Sequence, residues 1–216
     1  MKKKFLRVVI GLLFMMFFHD PAQAQTLSEI YVSELGKVLG ALFHFNPGFP
    51  SWALVNGWGI LVWVNMEIPR AIVEIHKNGY VHLVERTSPG IISYANGRIS
   101  KIEGLRFQYE SGRIQQIGDL GFQYHSGRIS RIGDLPIVIQ DGFIRHLGNV
   151  HFEYENGRLR KIDGLLFTYE SGRIRRIGQV QFDYDWEILR IRKVTGEIPA
   201  VSLKVSSVPE FRRSFR

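Results

Sequence analysis

Two consecutive stretches decide the fold: Arg106–Leu120, RFQYESGRIQQIGDL, and Gly121–Leu135, GFQYHSGRISRIGDL. The same fifteen-residue phrase continues outward in both directions. His151–Leu165 (HFEYENGRLRKIDGL) and Leu166–Val180 (LFTYESGRIRRIGQV) are further copies. Ile91–Leu105 has diverged, and Pro136–Val150 (PIVIQDGFIRHLGNV) has diverged more. Gln181 opens a seventh copy that loses the turn glycine at Glu187. Self-similarity at a fixed period marks stacked units, none of which can bury its apolar face alone.

Each unit reads as a β-hairpin. Leu120 to Tyr124 alternates with period two and is rich in strand formers. His125-Ser126-Gly127 follows, and a three-residue hairpin loop favours glycine at its left-handed last position. All six units carry that glycine, from Gly97 to Gly172. A second strand runs from Arg128 to Ile132, and Gly133-Asp134 forms the two-residue turn into the next unit. A continuous antiparallel meander of strands about five residues long is expected.

A three-residue loop sets Tyr124 opposite Arg128. Counting by twos, Leu120, Phe122, Tyr124, Arg128, Ser130 and Ile132 then share one face, and Gly121, Gln123, Ile129 and Arg131 the other. In the Pro136 unit the tyrosine becomes Ile139 and the arginine becomes Phe143, a joint change that suits a cross-strand pair. Tyr109–Arg113, Tyr124–Arg128, Tyr154–Arg158 and Tyr169–Arg173 are thus expected to be structural pairs, arginine lying over a tyrosine ring.

Upstream of the repeats, Leu27 to Phe43 places apolar residues at helical spacing, with Ser28 as N-cap and Gly36 and Gly40 as weak points. This predicts one N-terminal helix. Gly59–Met66 and Ala71–Lys77 read as strands, joined after Ile75 by the hairpin turn Asn78-Gly79. Ala200 to Val205 reads as a last strand. The predicted layout is a signal peptide over 1–24, a helix and loop over 25–58, a β-repeat domain over 59–205 with clear repeats over 91–185, and a basic tail over 206–216. The fold class expected is all-β, a hairpin-repeat meander. An aromatic wall this long cannot stay wet, and one helix is too short to cover it. The sheet is expected to curl around it as a solenoid or rolled sheet, with face-to-face self-association as the competing solution.

The strings Tyr169-Glu170-Ser171-Gly172-Arg173-Ile174 and Tyr154-Glu155-Asn156-Gly157-Arg158-Leu159 resemble the YD repeats of Rhs-type proteins, which carry Tyr-Asp, a short turn and Gly-Arg-Leu. The resemblance covers residues 91–185 at motif level; the turn here is one residue shorter and the period shorter. It implies an extracellular β scaffold. The family's encapsulation of a cargo domain does not carry over, because the chain has no room for one.

The chain of 216 residues contains no cysteine, which excludes disulfide scaffolds, thiolate metal sites and cysteine nucleophiles. Met1 to Gln25 has the form of a secretory signal peptide: Lys2, Lys3 and Lys4, an apolar run Val8–Phe18 too short to span a bilayer, and Ala22-Gln23-Ala24 as the cleavage pattern. Removal of Lys2, Lys3, Lys4, Arg7 and Asp20 takes the net charge from +8 to +5. The expected location is the periplasm, surface or exterior of a bacterial cell, with no transmembrane span after cleavage.

Catalytic motifs are absent. The histidines downstream of the cleavage site form no His-x-x-x-His pair, no Gly-x-Ser-x-Gly occurs, and Glu110, Glu155 and Glu170 recur as loop residues. No catalytic, cofactor or metal residue is predicted, although His76 and His82 are placed to face each other across the Asn78-Gly79 turn. One column of the second face reads Lys101, Gln116, Arg131, His146, Lys161, Arg176, with members about 9.6 Å apart. Arg160 and Arg175 sit beside it, directed by this register to the other face. Lys101, Arg131, Lys161, Arg176, Arg160 and Arg175 are the candidate anion-binding residues, for an anionic polysaccharide or envelope glycolipid rather than nucleic acid. The function expected is a non-enzymatic structural, adhesive or binding scaffold at the cell envelope. A secreted carbohydrate-active or other hydrolase is the alternative.

Overall fold

The computed structural model describes residues 25–86, 90–185 and 187–207. The expected signal peptide, 1–24, and residues 208–216 of the expected tail lie outside them. Among the described residues the chain is all-β, and twenty-one strands form two sheets. The first sheet contains β1 (Thr26–Ser33), β2 (Val38–Phe45), β3 (Ser51–Asn56), β4 (Leu61–Ile68), β5 (Ala71–His76) and β6 (Val81–Arg86) as an antiparallel meander. The repeats supply fourteen strands, β7 (Ile92–Ala95) through β20 (Arg190–Thr195), in strict sequence order. The chain then returns, and β21 (Ser202–Ser206) pairs with β1 in parallel. Both sheets are open.

The predicted helix over Leu27–Phe43 is instead the hairpin β1–β2. Its strands are apolar on both faces. Ile30, Val32, Ala41 and Phe43 enter the main core, while Tyr31 and Leu42 join Leu54 and Trp63 in a second cluster on the sheet's other face. A strand buried on both sides shows no alternation, so its apolar residues also satisfy helical spacing. Gly36, at φ +75°, turns the chain where a helix would have needed to continue.

The repeat register also differs from expectation. In the third unit β11 (Leu120–His125) and β12 (Arg128–Ile132) pair His125 with Arg128 and Tyr124 with Ile129. The loop is therefore two residues, Ser126 and Gly127, both at positive φ (49° and 77°), as a type I′ turn requires. Next comes a bulge: Gln123 faces Arg131, and Ser130 is the extra residue. The bulge returns the second strand to its original face, so Ile129 and Ile132 are both fully buried. Arg128 is off the inner face and Ile129 is on it, the reverse of the sequence expectation.

The aromatic wall is covered by the first sheet, not by curling on itself alone. Both sheets contribute to one continuous core, including Phe43, Val64, Met66 and Ile75 from one side and Phe122, Ile132, Phe152 and Phe182 from the other. The joint between them follows from backbone accounting. Within a unit the strands pair along their length, but neighbouring units pair at two positions only, as at Gln116↔Gly121 and Ile117↔Leu120. The hairpins therefore fan apart toward their tips, and each unit's first buried isoleucine has a backbone N–H and C=O with no strand beside them. The N–H is taken by a turn of the first sheet: Ile114 donates to Gly79 O (3.0 Å), Ile144 to Gly59 O (2.7 Å) and Ile174 to Gly36 O (2.8 Å). The third and seventh units use a second carbonyl of the Gly79 and Gly36 turns, Ile129 on Lys77 O and Ile191 on Glu34 O.

In three units the C=O is taken by the tyrosine of the following unit, while the Tyr109 and Tyr154 hydroxyls are buried without a protein partner. Tyr124 donates to Ile114 O (2.6 Å), Tyr169 to Leu159 O (2.8 Å) and Tyr184 to Ile174 O (2.5 Å). The tyrosine–arginine pairs follow the same step. Arg98 lies over Tyr109, Arg113 over Tyr124 and Arg158 over Tyr169, each 5.8 Å from the ring centre. The expected pairs Tyr109–Arg113, Tyr124–Arg128, Tyr154–Arg158 and Tyr169–Arg173 are thus corrected: each ring takes the arginine of the unit before it. The two-residue turn sets Arg113 opposite Glu110, and the fan between hairpins leaves room for the next ring. Tyr154 follows Phe143 and takes Arg145 instead, at 5.6 Å.

Burial pushes the phenols of Tyr109, Tyr169 and Tyr184 up to about 12, with Arg98, Arg158 and Arg173 opposing the shift only in part. Tyr124 and Tyr154 move further in the same direction for the same reason. A phenol titrates near 10 when unfolded. The neutral ring is therefore favoured by folding. Its contribution is fully present below about pH 10 and is lost as pH rises through about 12. Alkaline unfolding is expected in that window, with phenolate absorbance and the loss of β-sheet dichroism rising together. Ionisation of the repeat tyrosines well before the sheet is lost would contradict this joint.

Candidate functional site

The cation column lies on the outer face of the repeat sheet. Lys101 and Arg176 are exposed, while Arg131 and Lys161 are half-buried. The column is not a continuous positive stripe. Lys161 is held by Glu153 at 3.2 Å, and His146 and His151 stack with ring centres 4.7 Å apart. Lys101, Arg131 and Arg176 have no ion-pair partner among the described residues. Arg160 and Arg175 are bulge residues and stand exposed on the exterior, not on the inner wall. They pair with the loop carboxylates Glu155 (3.6 Å) and Glu170 (3.6 Å), and Arg175 also with Asp183 (3.2 Å). Exposed pairs of this kind add little stability, but they neutralise half of the predicted anion-binding set.

A denser arrangement lies on the outer face of the first sheet. Alternate residues of β3 to β6 point away from the core, and the register lines up Trp52, Asn65, Glu74 and His82 across four strands. The neighbouring row places Trp63 beside His76. Together with Glu85 of β6 they border a shallow, open cleft of about 700 Å³. Glu74 is 13 % exposed at its side chain and meets His76 Nε2 at 2.9 Å. The His76 and His82 rings face each other at 5.0 Å, nearly perpendicular, as the turn between them led one to expect. Asn65 is 8 % exposed, and its amide oxygen has no protein partner. Trp52 is half-buried and stacks on His44 at 6.2 Å.

This set supplies a carboxylate, two imidazoles, an amide with unmet hydrogen-bonding capacity and an indole flank, all on rigid strands. Sequence reasoning found only the two histidines. The remaining signal was present, as polar residues spaced by two inside otherwise apolar strands: Trp63 and Asn65 in β4, Glu74 and His76 in β5. Among the described residues, no group of three or more His, Asp, Glu or Cys side chains is arranged to hold a metal ion. No described helix is long and apolar enough to cross a membrane. No protein-family model, curated protein or solved structure matches the chain.

Proposed function

We propose that the protein is an exported, non-enzymatic scaffold of the cell envelope that binds a glycan in the cleft over β3–β6. The observation that carries this reading is the convergence of Trp52 with Asn65, the Glu74–His76 pair and His82 on one sheet face. A sugar ring offers an apolar C–H face to an indole and a rim of hydroxyls to amides, carboxylates and imidazoles, so one surface serves both parts. The repeat sheet is the support: Lys161, Arg160 and Arg175 are held in local ion pairs, which leaves only Lys101, Arg131 and Arg176 of its predicted cation set unpaired among the described residues.

The test is binding of the mature chain, from Gln25, to immobilised glycans and envelope polysaccharides across a salt series. Trp52→Ala is expected to weaken binding by about tenfold, the scale of a lost aromatic contact, with little dependence on salt. Binding that falls steeply with salt and is lost when Lys101, Arg131 and Arg176 are replaced would move the ligand to the repeat sheet and an anionic polymer.

One observation favours a hydrolase as the second reading. Glu74 is shielded and paired while Glu85 is exposed, so one cleft holds two carboxylates in different environments. Under that reading Glu74→Gln and Glu85→Gln each abolish turnover of the bound glycan. Under the binding reading no product forms with the wild-type chain.

A further inference from the structure

The tyrosine ring itself is missing at one joint. Between the third unit (Gly121–Leu135) and the fourth (Pro136–Val150), the position that carries tyrosine in the other units is Ile139. At the other joints a ring occupies the fan between hairpins; in four cases it lies under an arginine of the preceding unit, and in three it donates its hydroxyl to the preceding isoleucine or leucine carbonyl. At Ile139 none of these contacts is made by the chain. The equivalent carbonyl, that of Ile129, meets no tyrosine hydroxyl. The equivalent arginine, Arg128, has no ring beneath it and reaches instead to Gly142 O at 3.4 Å.

The space remains open. The groove bordered by Arg128, Ser130, Ile137 and Ile139 holds about 460 Å³, against about 330 Å³ where the larger Arg160, Phe167 and Tyr169 stand at the equivalent positions, so three smaller side chains together widen it. Behind Ile139 a second pocket of about 10 Å³ is lined by Gly59, Lys77, Ile129 and Ile144, room for about one water-sized group. That is the level that tyrosine hydroxyls reach elsewhere, since the Tyr154 ring packs against Gly59 and Tyr124 against Gly79. The groove mouth is formed by exposed His125, Ser126 and Gly142.

We propose that this groove is a docking site for a tyrosine side chain presented by a partner polypeptide. The occupant is identified by the protein's own joints. An aromatic ring would slide between the hairpins under Arg128, and its hydroxyl would donate to Ile129 O, repeating the geometry of Tyr124 and Tyr169. The cation over the ring and the buried acceptor favour a phenol over a plain phenyl group. This site is separate from the cleft on the first sheet and does not rest on the glycan reading.

The experiment titrates N-acetyl-tyrosine amide, with N-acetyl-phenylalanine amide as comparison, into the ¹⁵N-labelled mature chain. Saturable shifts are expected at the amides of Ile129, Ile139 and Gly142, with the phenylalanine probe about threefold weaker or more. Ile139→Tyr supplies the missing ring in cis and is expected to lower affinity by about tenfold or more. Arg128→Ala leaves the groove open and is expected to weaken binding by about threefold. That variant decides the matter if Ile139→Tyr does not fold. No saturable shift at these amides, or equal binding by Ile139→Tyr, overturns the proposal. Sedimentation of the wild-type chain covers the other occupant. Association that Ile139→Tyr abolishes would place an exposed tyrosine of a second copy, Tyr80 or Tyr94, in the groove and overturn a separate partner.

Discussion

Gly36→Ala is expected to destabilise the protein by about 3–5 kcal/mol, and Gly97→Ala by only about 1 kcal/mol. The two glycines have nearly the same backbone, φ +75° and +73°, so both substitutions meet the same left-handed strain. They differ in what a β-carbon would touch. At Gly97 nothing lies within 4 Å. At Gly36 the new atom overlaps the Tyr184 hydroxyl and comes within 2.8 Å of its Cζ. Tyr184 cannot withdraw, because it is 6 % exposed in the core and its hydroxyl is bound to Ile174 O at 2.5 Å. Moving the ring breaks that bond, and moving the turn instead breaks the Ile174 N–H to Gly36 O bond, at about 1 kcal/mol each. Equilibrium urea unfolding of the two variants measures the difference. Equal losses would mean that the turn is not pressed against the tyrosine. In a Tyr184→Ile background, the residue nature places at Ile139, the cost of Gly36→Ala should fall toward that of Gly97→Ala.

This joint explains why the repeat carries tyrosine, isoleucine and the turn glycine together. The fan between hairpins exposes one N–H and one C=O per unit, and leaving both buried and unpaired would cost several kcal/mol per unit. At Ile114 and Ile174 the turn of the first sheet satisfies one and the next tyrosine the other. The first sheet is thus a template against which the units align. It is not an appendage.

The hairpin repeat was legible in the sequence because each unit restates the same turn and alternation. The register was not read correctly, although its marker was there. Ile129 and Ile132 recur as Ile114 and Ile117, Ile144 and Leu147, Leu159 and Ile162, Ile174 and Ile177. A spacing of three cannot place two side chains on one face of a regular strand, so an apolar pair at that spacing in every unit requires a bulge. The β1–β2 hairpin was hidden by apolar residues on both faces. The contact between sheets was illegible for a different reason. It joins Gly36, Gly59 and Gly79 to residues as distant as Ile174, and nothing local in either segment encodes that meeting. The same holds for the cleft, whose members come from four strands and meet only through cross-strand pairing.

Phe152→Ala is expected to cost about 3–5 kcal/mol, the usual loss for a large ring removed from a packed site. Phe152 is 1 % exposed in the repeat sheet, and its ring meets Phe43 of β2 edge to face, with centres 5.3 Å apart at 65°. Phe43 is fully buried, so each ring fills space the other cannot. A double-mutant cycle with Phe43→Ala should return a coupling of about 0.5–1.5 kcal/mol. The cycle asks what holds the sheets together. If the shared core does, both single variants unfold in one transition, followed alike by tryptophan fluorescence and by dichroism. With Trp186 replaced by Phe, the remaining tryptophans, Trp52, Trp58 and Trp63, all lie in β3, β4 or the turn joining them and report on the first sheet, while most of the dichroism comes from the repeats. If the turn hydrogen bonds alone hold them, the coupling is near zero and the two probes separate. The first result would make the template and the repeats one cooperative unit, which a chain without cysteine needs in order to keep fourteen short strands in register.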